Sequence, residues 1–276
     1  MSSNSGKLWI VATPLGNPGD LPPRARDVLS RAHRVLAEDT RRTGRLLAEC
    51  GVETNGFFSL HDHNEEERIP GIIALLREGH DLALVSDAGT PLLSDPGFRL
   101  VRACRNEGLA VSPVPGPSAP AAALSACGIP PLPYAFLGFP PRKQGEREAF
   151  FAPYRDLPLT LVFFERKDRL RETLAQAARL LGPREGCIAR ELTKPFEEFI
   201  LFQLEEYATV PEDLLGEITV VLGPPLGNGR DGEERVRAAI AEENAKGGKA
   251  KEVAARVQTL VRGWSRKEIY ALMLNG

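Results

Sequence analysis

Short apolar runs alternate with helix-length stretches along the first 126 residues, and this alternation constrains the fold more than any other feature. Leu8–Val11, Arg34–Ala37, Phe57–Leu60, Leu82–Val85 and Ala110–Val114 are four or five residues long and read as strands. Between them lie Arg24–Ala32, entered through Pro22 and Pro23, and Thr40–Glu49, stopped by Gly51. Glu65–Glu78, Phe98–Glu107 and the small-residue stretch Ala119–Ala126 complete the helical set. Strands that alternate with helices in this way build an α/β domain with a largely parallel sheet.

The proline-rich segment Gly128–Pro133 leaves that domain. Strands are expected at Tyr134–Phe139, Thr160–Phe164, Gly186–Arg190, Phe199–Leu204 and Glu217–Leu222, with a helix at Asp168–Leu181, so a second α/β domain follows. Pro224–Gly232 reads as a linker and Glu233–Gly276 as a helical tail. The expected division is 1–127, 128–224 and 233–276. The 26 glycines and 23 prolines among 276 residues fit many short loops of fixed geometry, and 42% hydrophobic residues fit two globular cores.

A formal charge of −2 excludes a globally basic nucleic-acid binder but leaves room for a local basic face. Cys50, Cys104, Cys127 and Cys187 lie too far apart for a CxxC metal or redox pair, and read as small buried hydrophobes of a reduced compartment. No metal site is expected. No apolar run approaches the ~18 residues that span a bilayer, and Met1–Gly6 is polar, so a cytosolic location is expected. The chain carries no GxGxxG after its first strand, and no GxxxxGK[ST], HExxH or GxSxG.

Ligands in open α/β sheets bind at loops beyond the carboxyl ends of strands. Three such loops stand out. Ala12–Asn17 is a stiff turn in which Gly16 allows close backbone approach. Ser86–Gly97 is long, rich in turn formers and follows a buried strand. Within it, Asp87 is placed to accept hydrogen bonds from a ribose or an amine, whereas Asp95, before Pro96, reads equally as a helix cap. Val114–Ala119 opens onto a helix, with Ser118 either an ordinary N-cap or a ligand contact.

Taken in order, TPLGN at 13–17, AEDTRRT at 37–43, LHDHNE at 60–65, LVSDAGTPLLSDPG at 84–97, PGPSA at 115–119, FFERKDRL at 163–170 and ARELTKPFEE at 189–198 resemble the tetrapyrrole-methylase superfamily of S-adenosylmethionine-dependent methyltransferases. Within it they are most similar to the branch that methylates a cytidine 2′-oxygen in 16S ribosomal RNA, in the decoding region of the small subunit. The resemblance spans about residues 7–223. Tetrapyrrole-modifying relatives carry a GDP-type sequence where this chain has Ser86-Asp87-Ala88-Gly89, which favours an RNA acceptor over a corrin. The resemblance implies a donor cleft between two α/β domains, a homodimer, and donor contacts from Leu15, Asp87, Ala88, Gly89, Thr90, Ser118 and Ala119. From the second domain it implies Phe164, Ala189, Ile218 and Thr219.

A ribose hydroxyl is a poor nucleophile at neutral pH, so a nearby base would help. His61, beside Asp62 and His63, is one candidate, because a carboxylate orients an imidazole and raises its basicity. Asp39 is another, with Glu38 beside it; both also read as a cap for the helix beginning at Thr40. Arg41, Arg42, Arg45, Arg142 and Lys143 are the expected RNA contacts. The tail adds Lys246, Lys249, Lys251, Arg256, Arg262, Arg266 and Lys267 against the single acid Glu252, in a pattern of helix, turn and N-capped helix resembling a helix-turn-helix. Val253, Val257, Leu260, Ile269 and Leu272 are its expected core. Two other readings compete: a methyltransferase acting on a small tetrapyrrole, and a non-catalytic RNA-binding factor on a methyltransferase scaffold.

Overall fold

A computed structural model describes residues 5–226, 231–261 and 263–274. Strands β1 (Lys7–Val11), β2 (Arg34–Ala37), β3 (Phe57–Ser59), β4 (Leu82–Leu84) and β5 (Ala110–Val114) form one sheet in the order β3-β2-β4-β1-β5. Every pairing in it is parallel. The connecting helices are α1 (Pro23–Arg31), α2 (Thr40–Glu49), α3 (Glu65–Arg77) and α4 (Phe98–Asn106), and α5 (Ala119–Ala126) follows β5.

Both faces are covered because side chains alternate along each strand. Val35, Ala37, Ala83 and Val85 point to a core shared with Ala25 and Leu29 of α1 and Leu47 of α2. Leu36, Leu82 and Leu84 point the other way, onto Ile72, Ile73 and Leu76 of α3 and Leu100 and Cys104 of α4. The sheet is therefore doubly wound, with its loops gathered at the carboxyl edge of the strands.

The second sheet is made of β6 (Tyr134–Phe136), β7 (Thr160–Glu165), β8 (Arg184–Arg190), β9 (Glu198–Gln203) and β10 (Ile218–Pro225), in the order β6-β7-β10-β8-β9. Only β6 and β7 run parallel; the other neighbours are antiparallel. One face packs on α6 (Gln144–Phe151) and α7 (Leu170–Leu181) through Phe151, Phe163 and Leu174. The other face, through Val162, Cys187, Ala189 and Val221, packs on Ala123 and Leu124 of α5. The four cysteines are all buried and unbridged. No helix among the described residues is long and apolar enough to cross a membrane.

Several sequence expectations need correction. The strand expected over Tyr134–Phe139 ends at Phe136, because Gly138 at φ 67° turns the chain. Pro224 and Pro225, expected in a linker, close β10, where Gly223 accepts a hydrogen bond from the buried Arg184 guanidinium at 2.8 Å. The remainder of that segment, 227–230, lies outside the described residues. The helix α6 was not anticipated, since its eight residues span barely two turns and carry few apolar positions.

The tail comprises α8 (Glu233–Ala245), α9 (Ala250–Leu260) and α10 (Arg266–Leu274), with its own core of Val236, Ile240, Val253, Ala254, Val257, Val261 and Ile269. Leu260, expected in that core, is 48% exposed; the chain leaves the helix there and Val261 turns inward instead. Leu272 is partly buried against it. Ser265 and Glu268 close the start of α10 reciprocally, Ser265 N–H donating to Glu268 at 2.8 Å and Glu268 N–H to Ser265 Oγ at 3.2 Å.

Arg184 is the polar keystone of the second sheet. It is fully buried and donates to the carbonyls of Tyr154 (2.8 Å), Arg155 (3.1 Å), Leu159 (3.2 Å) and Gly223 (2.8 Å). Arg184→Ala strands those acceptors away from water, so stability should fall by about 4 kcal/mol, measured as the shift of a chemical-denaturation midpoint at unchanged slope.

Candidate functional site

The three sequence loops meet at the carboxyl edge of the parallel sheet. Thr13 and Gly89 form an isolated bridge, with N–H to O distances of 2.9 and 3.1 Å, and thereby join the loops after β1 and β4. Gly89 adopts φ 80°, and a Cβ there would meet Leu15 at 3.0 Å, so this crossing admits only glycine without strain. Thr90 Oγ1 donates to Pro117 O at 3.0 Å and ties the second loop to the third. Buried Thr13 donates to Ser86 O at 3.2 Å.

Together these loops and the second sheet enclose a cavity of about 560 Å³, within the ~300–1,000 Å³ common for small-molecule sites. Its wall holds Leu15, Asp87, Ala88, Gly89, Thr90, Ser118 and Ala119 from the first domain, and Phe164, Ile218 and Thr219 from β7 and β10. Ala189 is not among them: it is fully buried in β8, paired in register with Thr219, and belongs to the core against α5. Ser118 sits at the N-cap position of α5 and makes no side-chain capping bond, and it lines the cavity together with Ala119 and Pro120 of the first turn. A helix end of this kind favours a negatively charged group.

Asp87 reaches Arg42 at 3.4 Å through one oxygen, while its other oxygen, Oδ1, is buried and finds no partner among the described residues. Burial raises the Asp87 carboxyl above its usual range, and Arg42 works against that shift. A buried acceptor of this kind, on a cavity wall, is suited to a donor group on a ligand.

Of the expected RNA contacts, only Arg42 lines the cavity. It bridges the cleft, meeting Asp87 on one side and Glu217 at 3.3 Å on the other. Arg41, Arg45 and Arg142 are exposed and lie off the cavity wall, and Lys143 pairs with Glu146 at 3.1 Å in its own helix turn. Arg166 and Lys167, in the FFERKDRL stretch, line the opening.

Of the two candidate bases, Asp39 takes the cap position that the sequence also offered for it, and His61 lies off the cavity wall. Asp39 caps α2, its Oδ1 accepting from Arg41 N at 2.9 Å and Arg42 N at 3.1 Å. Those backbone bonds, from Arg42 and then Arg41, hold its carboxyl below the usual range, which weakens it as a base. His61 lies in the loop after β3, outside the cavity wall, with Nδ1 buried and unpartnered among the described residues. The ring beside it is His63, at 6.1 Å between centroids. Sequence reasoning missed Phe139, which tilts against Phe164 at 5.3 Å, and it left Asp95 open between a ligand contact and a cap. The N-cap of α4 is Gly97 instead, without a side-chain bond, and Asp95 faces the cavity.

The ARELTKPFEE stretch clasps the first loop. Asn17 N–H donates to Thr193 Oγ1 at 3.2 Å, across the two domains. Lys194 bonds Glu191 at 2.9 Å and Glu217 at 2.8 Å, and its stem lies over Gly16, where a Cβ would come within 2.2 Å of Lys194 Cγ. Space alone dictates glycine here. Gly16→Ala should evict Lys194 and cost about 1–2 kcal/mol, but almost nothing in a Lys194→Ala background. A double-mutant cycle in chemical denaturation reads that coupling, and additive costs would refute the clasp.

Comparison with known proteins agrees with this layout. The family model of tetrapyrrole (corrin/porphyrin) methylases matches residues 7–208. The chain is 41% identical over 276 residues to "Ribosomal RNA small subunit methyltransferase I" of Micromonospora olivasterospora, covering 97% of this chain and 87% of that one. It is 50% identical over 196 residues to the protein of the same name from Xylella fastidiosa, covering 71% of each chain. A crystal structure of uroporphyrin-III-C-methyltransferase from Thermus thermophilus superposes with a TM-score of 0.57 at 25% identity, over 79% of this chain and 94% of that one. A second structure, of a Thermus thermophilus uroporphyrin III C-methyl transferase complexed with S-adenyl homocysteine, has a TM-score of 0.58 at 21% identity, over 79% and 97%. The parallel sheet with its three interlocked loops, the mixed sheet packed on α5, and the extent of these matches lead to one conclusion: the chain belongs to the tetrapyrrole (corrin/porphyrin) methylase family.

Proposed function

We propose that this protein transfers a methyl group from S-adenosylmethionine to small-subunit (16S) ribosomal RNA, at the 2′-oxygen of a cytidine ribose in the decoding region. The observation that carries the reading is the cavity itself. It gathers Leu15, Asp87, Thr90 and Ser118 from three separate loops against Phe164 and Ile218, and leaves Asp87 Oδ1 without a donor. The donor supplies a methyl group already activated on a sulfonium, so the protein mainly has to position the reactants. Leu15, Ala88, Gly89, Phe164, Ile218 and Thr219 are the surfaces for its adenosyl and methionyl parts. Asp87 accepts from a ribose hydroxyl or an amine, and the start of α5, at Ser118 and Ala119, suits a carboxylate.

The acceptor class follows from the relatives' names and from charge. Glu38, Asp62, Asp87 and Asp95 act on one another as like charges at the sheet edge, which disfavours a macrocycle bearing carboxylates. Arg42, Arg166 and Lys167 are the cations of the lining, the first two paired with Glu217 and Asp168, and they are the groups past which a phosphate backbone would run while a neutral ribose enters. The same reading implies a cytosolic homodimer.

The test is transfer of labelled methyl from S-adenosylmethionine to small ribosomal subunits, followed by nucleoside analysis. 2′-O-methylcytidine is the expected product. Label that appears only on a tetrapyrrole would replace this reading with the small-molecule one.

Donor binding has its own test. Asp87→Ala removes an acceptor and Ser118→Trp fills space at the helix end, so each should abolish the calorimetric binding signal with an unchanged circular dichroism spectrum. Unchanged affinity in both would move the donor elsewhere.

The tail carries the RNA side of the reading. Lys246 and Arg256 are tied to the buried Glu243, but Lys249, Lys251, Arg266 and Lys267 are exposed. Truncation after Gly232 should leave donor affinity intact and weaken subunit binding. It should also make the salt dependence shallower, by a slope of about 3 if all four meet phosphates. Equal slopes with and without the tail would exclude phosphate contacts from it.

A further inference from the structure

Asp95 occupies an unusual position for a carboxylate. It follows β4 in a loop where Leu92 and Ser94 adopt φ values of 72° and 75°, a conformation that side-chain-bearing residues rarely take. Strain of this kind persists only where the surrounding structure holds it, and it clusters at functional sites. The loop does not use Asp95 to start the next helix, since Gly97 takes the N-cap place of α4. Its side chain is half-buried and lines the cavity that holds Asp87, Ser118 and Phe164.

The other carboxylates nearby have structural partners or lie off the wall. Asp39 caps α2, Asp87 is paired with Arg42, and Glu38 is not part of the cavity lining. No cation pairs with Asp95 among the described residues.

We propose that Asp95 is the catalytic base of this site, taking the proton of the acceptor hydroxyl as the methyl group is transferred. The assignment rests on the reading of the site as a methyltransferase acting on a ribose hydroxyl. In balance, the bond from acceptor oxygen to methyl carbon forms as the carbon–sulfur bond breaks. The electron pair of that bond stays on sulfur, and the hydroxyl proton passes to the Asp95 carboxylate.

The surroundings suit the role. Burial, together with the negative charges of Glu38, Asp87 and Asp62, pushes the Asp95 carboxyl up to about 7, with a hydrogen bond from Ser86 acting in the opposite direction. Across the cavity stand Glu165, Asp168 and Glu217, and the cations Arg166 and Lys167, while Arg42 is tied between Asp87 and Glu217. A base is most effective when its pKa lies near the working pH, because it is then ionised yet still basic. Since the carboxylate is the active form, the rate should rise with pH through that value and then level off.

Two measurements test the proposal. In donor-free protein with carboxyl-labelled aspartate, carbon NMR should show one aspartate titrating near neutrality, and Asp95→Asn should remove that resonance. In single turnovers on small subunits, the wild-type rate should climb about tenfold per pH unit below neutrality and then plateau. Asp95→Asn should be about a hundredfold slower without that inflection, and Asp95→Glu should restore part of the rate. Donor affinity by calorimetry should stay within about twofold in both variants, which separates a base from a binding residue. An Asp95→Asn enzyme that keeps pace with wild type, or the absence of a neutral-range aspartate, overturns the assignment and leaves the rRNA reading standing. A wild-type enzyme that binds the donor but methylates no ribose overturns both.

Discussion

The cleft depends on how closely α5 lies against the second sheet. That helix is built from alanines, with Pro120, Leu124 and Ser125 as its other members, and Ala123 is fully buried against Val162, Cys187, Ala189 and Val221. Small side chains let a helix approach a sheet without prising the layers apart, and a dry contact of this kind resists deformation. The position of the helix sets the position of its first turn, and so of Ser118 and Ala119 at the cavity. The same apolar cluster includes Leu15, so the first loop is seated by the contact that seats the third. Enlarging α5 would therefore move two walls of the cavity together.

Charge then joins what packing has brought near. Asp87, Arg42, Glu217, Lys194 and Glu191 form a run of alternating charges from one domain to the other. Exposed pairs contribute little each, and the Arg42 side chain is 55% exposed, so this run orients groups more than it stabilises the fold. Its effect is on geometry. It holds Arg42 across the cleft between Asp87 and Glu217 and leaves the other oxygen of Asp87 buried.

The donor loops were legible in the sequence because each follows a strand end and is made of residues with narrow conformational choices. Thr13, Gly16, Gly89, Thr90 and Ser118 come from stretches where turn formers crowd together, and the structure brings the loops that hold them together. Ala189 misled for a plain reason. It lies on the same face as Thr219 and Phe164, with which it is in register, but further along the sheet where α5 covers it, and a stretch that resembles a family does not reveal which strand positions a helix covers. Asp95 stayed open between a ligand contact and a helix cap because an aspartate before proline ahead of a helix is an ordinary capping pattern, and only the backbone at Gly97 shows that the cap belongs elsewhere.

By itself the sequence determined the strands of both sheets and all the helices of the two sheet regions but α6, since hydrophobic periodicity and the placing of glycine and proline are local matters. It also determined the family, because the motifs are long enough to be distinctive. Which side chains share the cavity was settled only by tertiary structure. Asp87, Arg42 and Glu217 are far apart in the chain and meet because α5 and the first loop, at Leu15, pack on the second sheet and bring the strand ends of the first sheet to it. The setting of Asp95 was likewise a tertiary outcome: its proton affinity is governed by burial, by Glu38 and Asp62 from other strand ends and by Asp87 of its own loop, and neither the burial nor the charges from other strands leave a trace in local sequence.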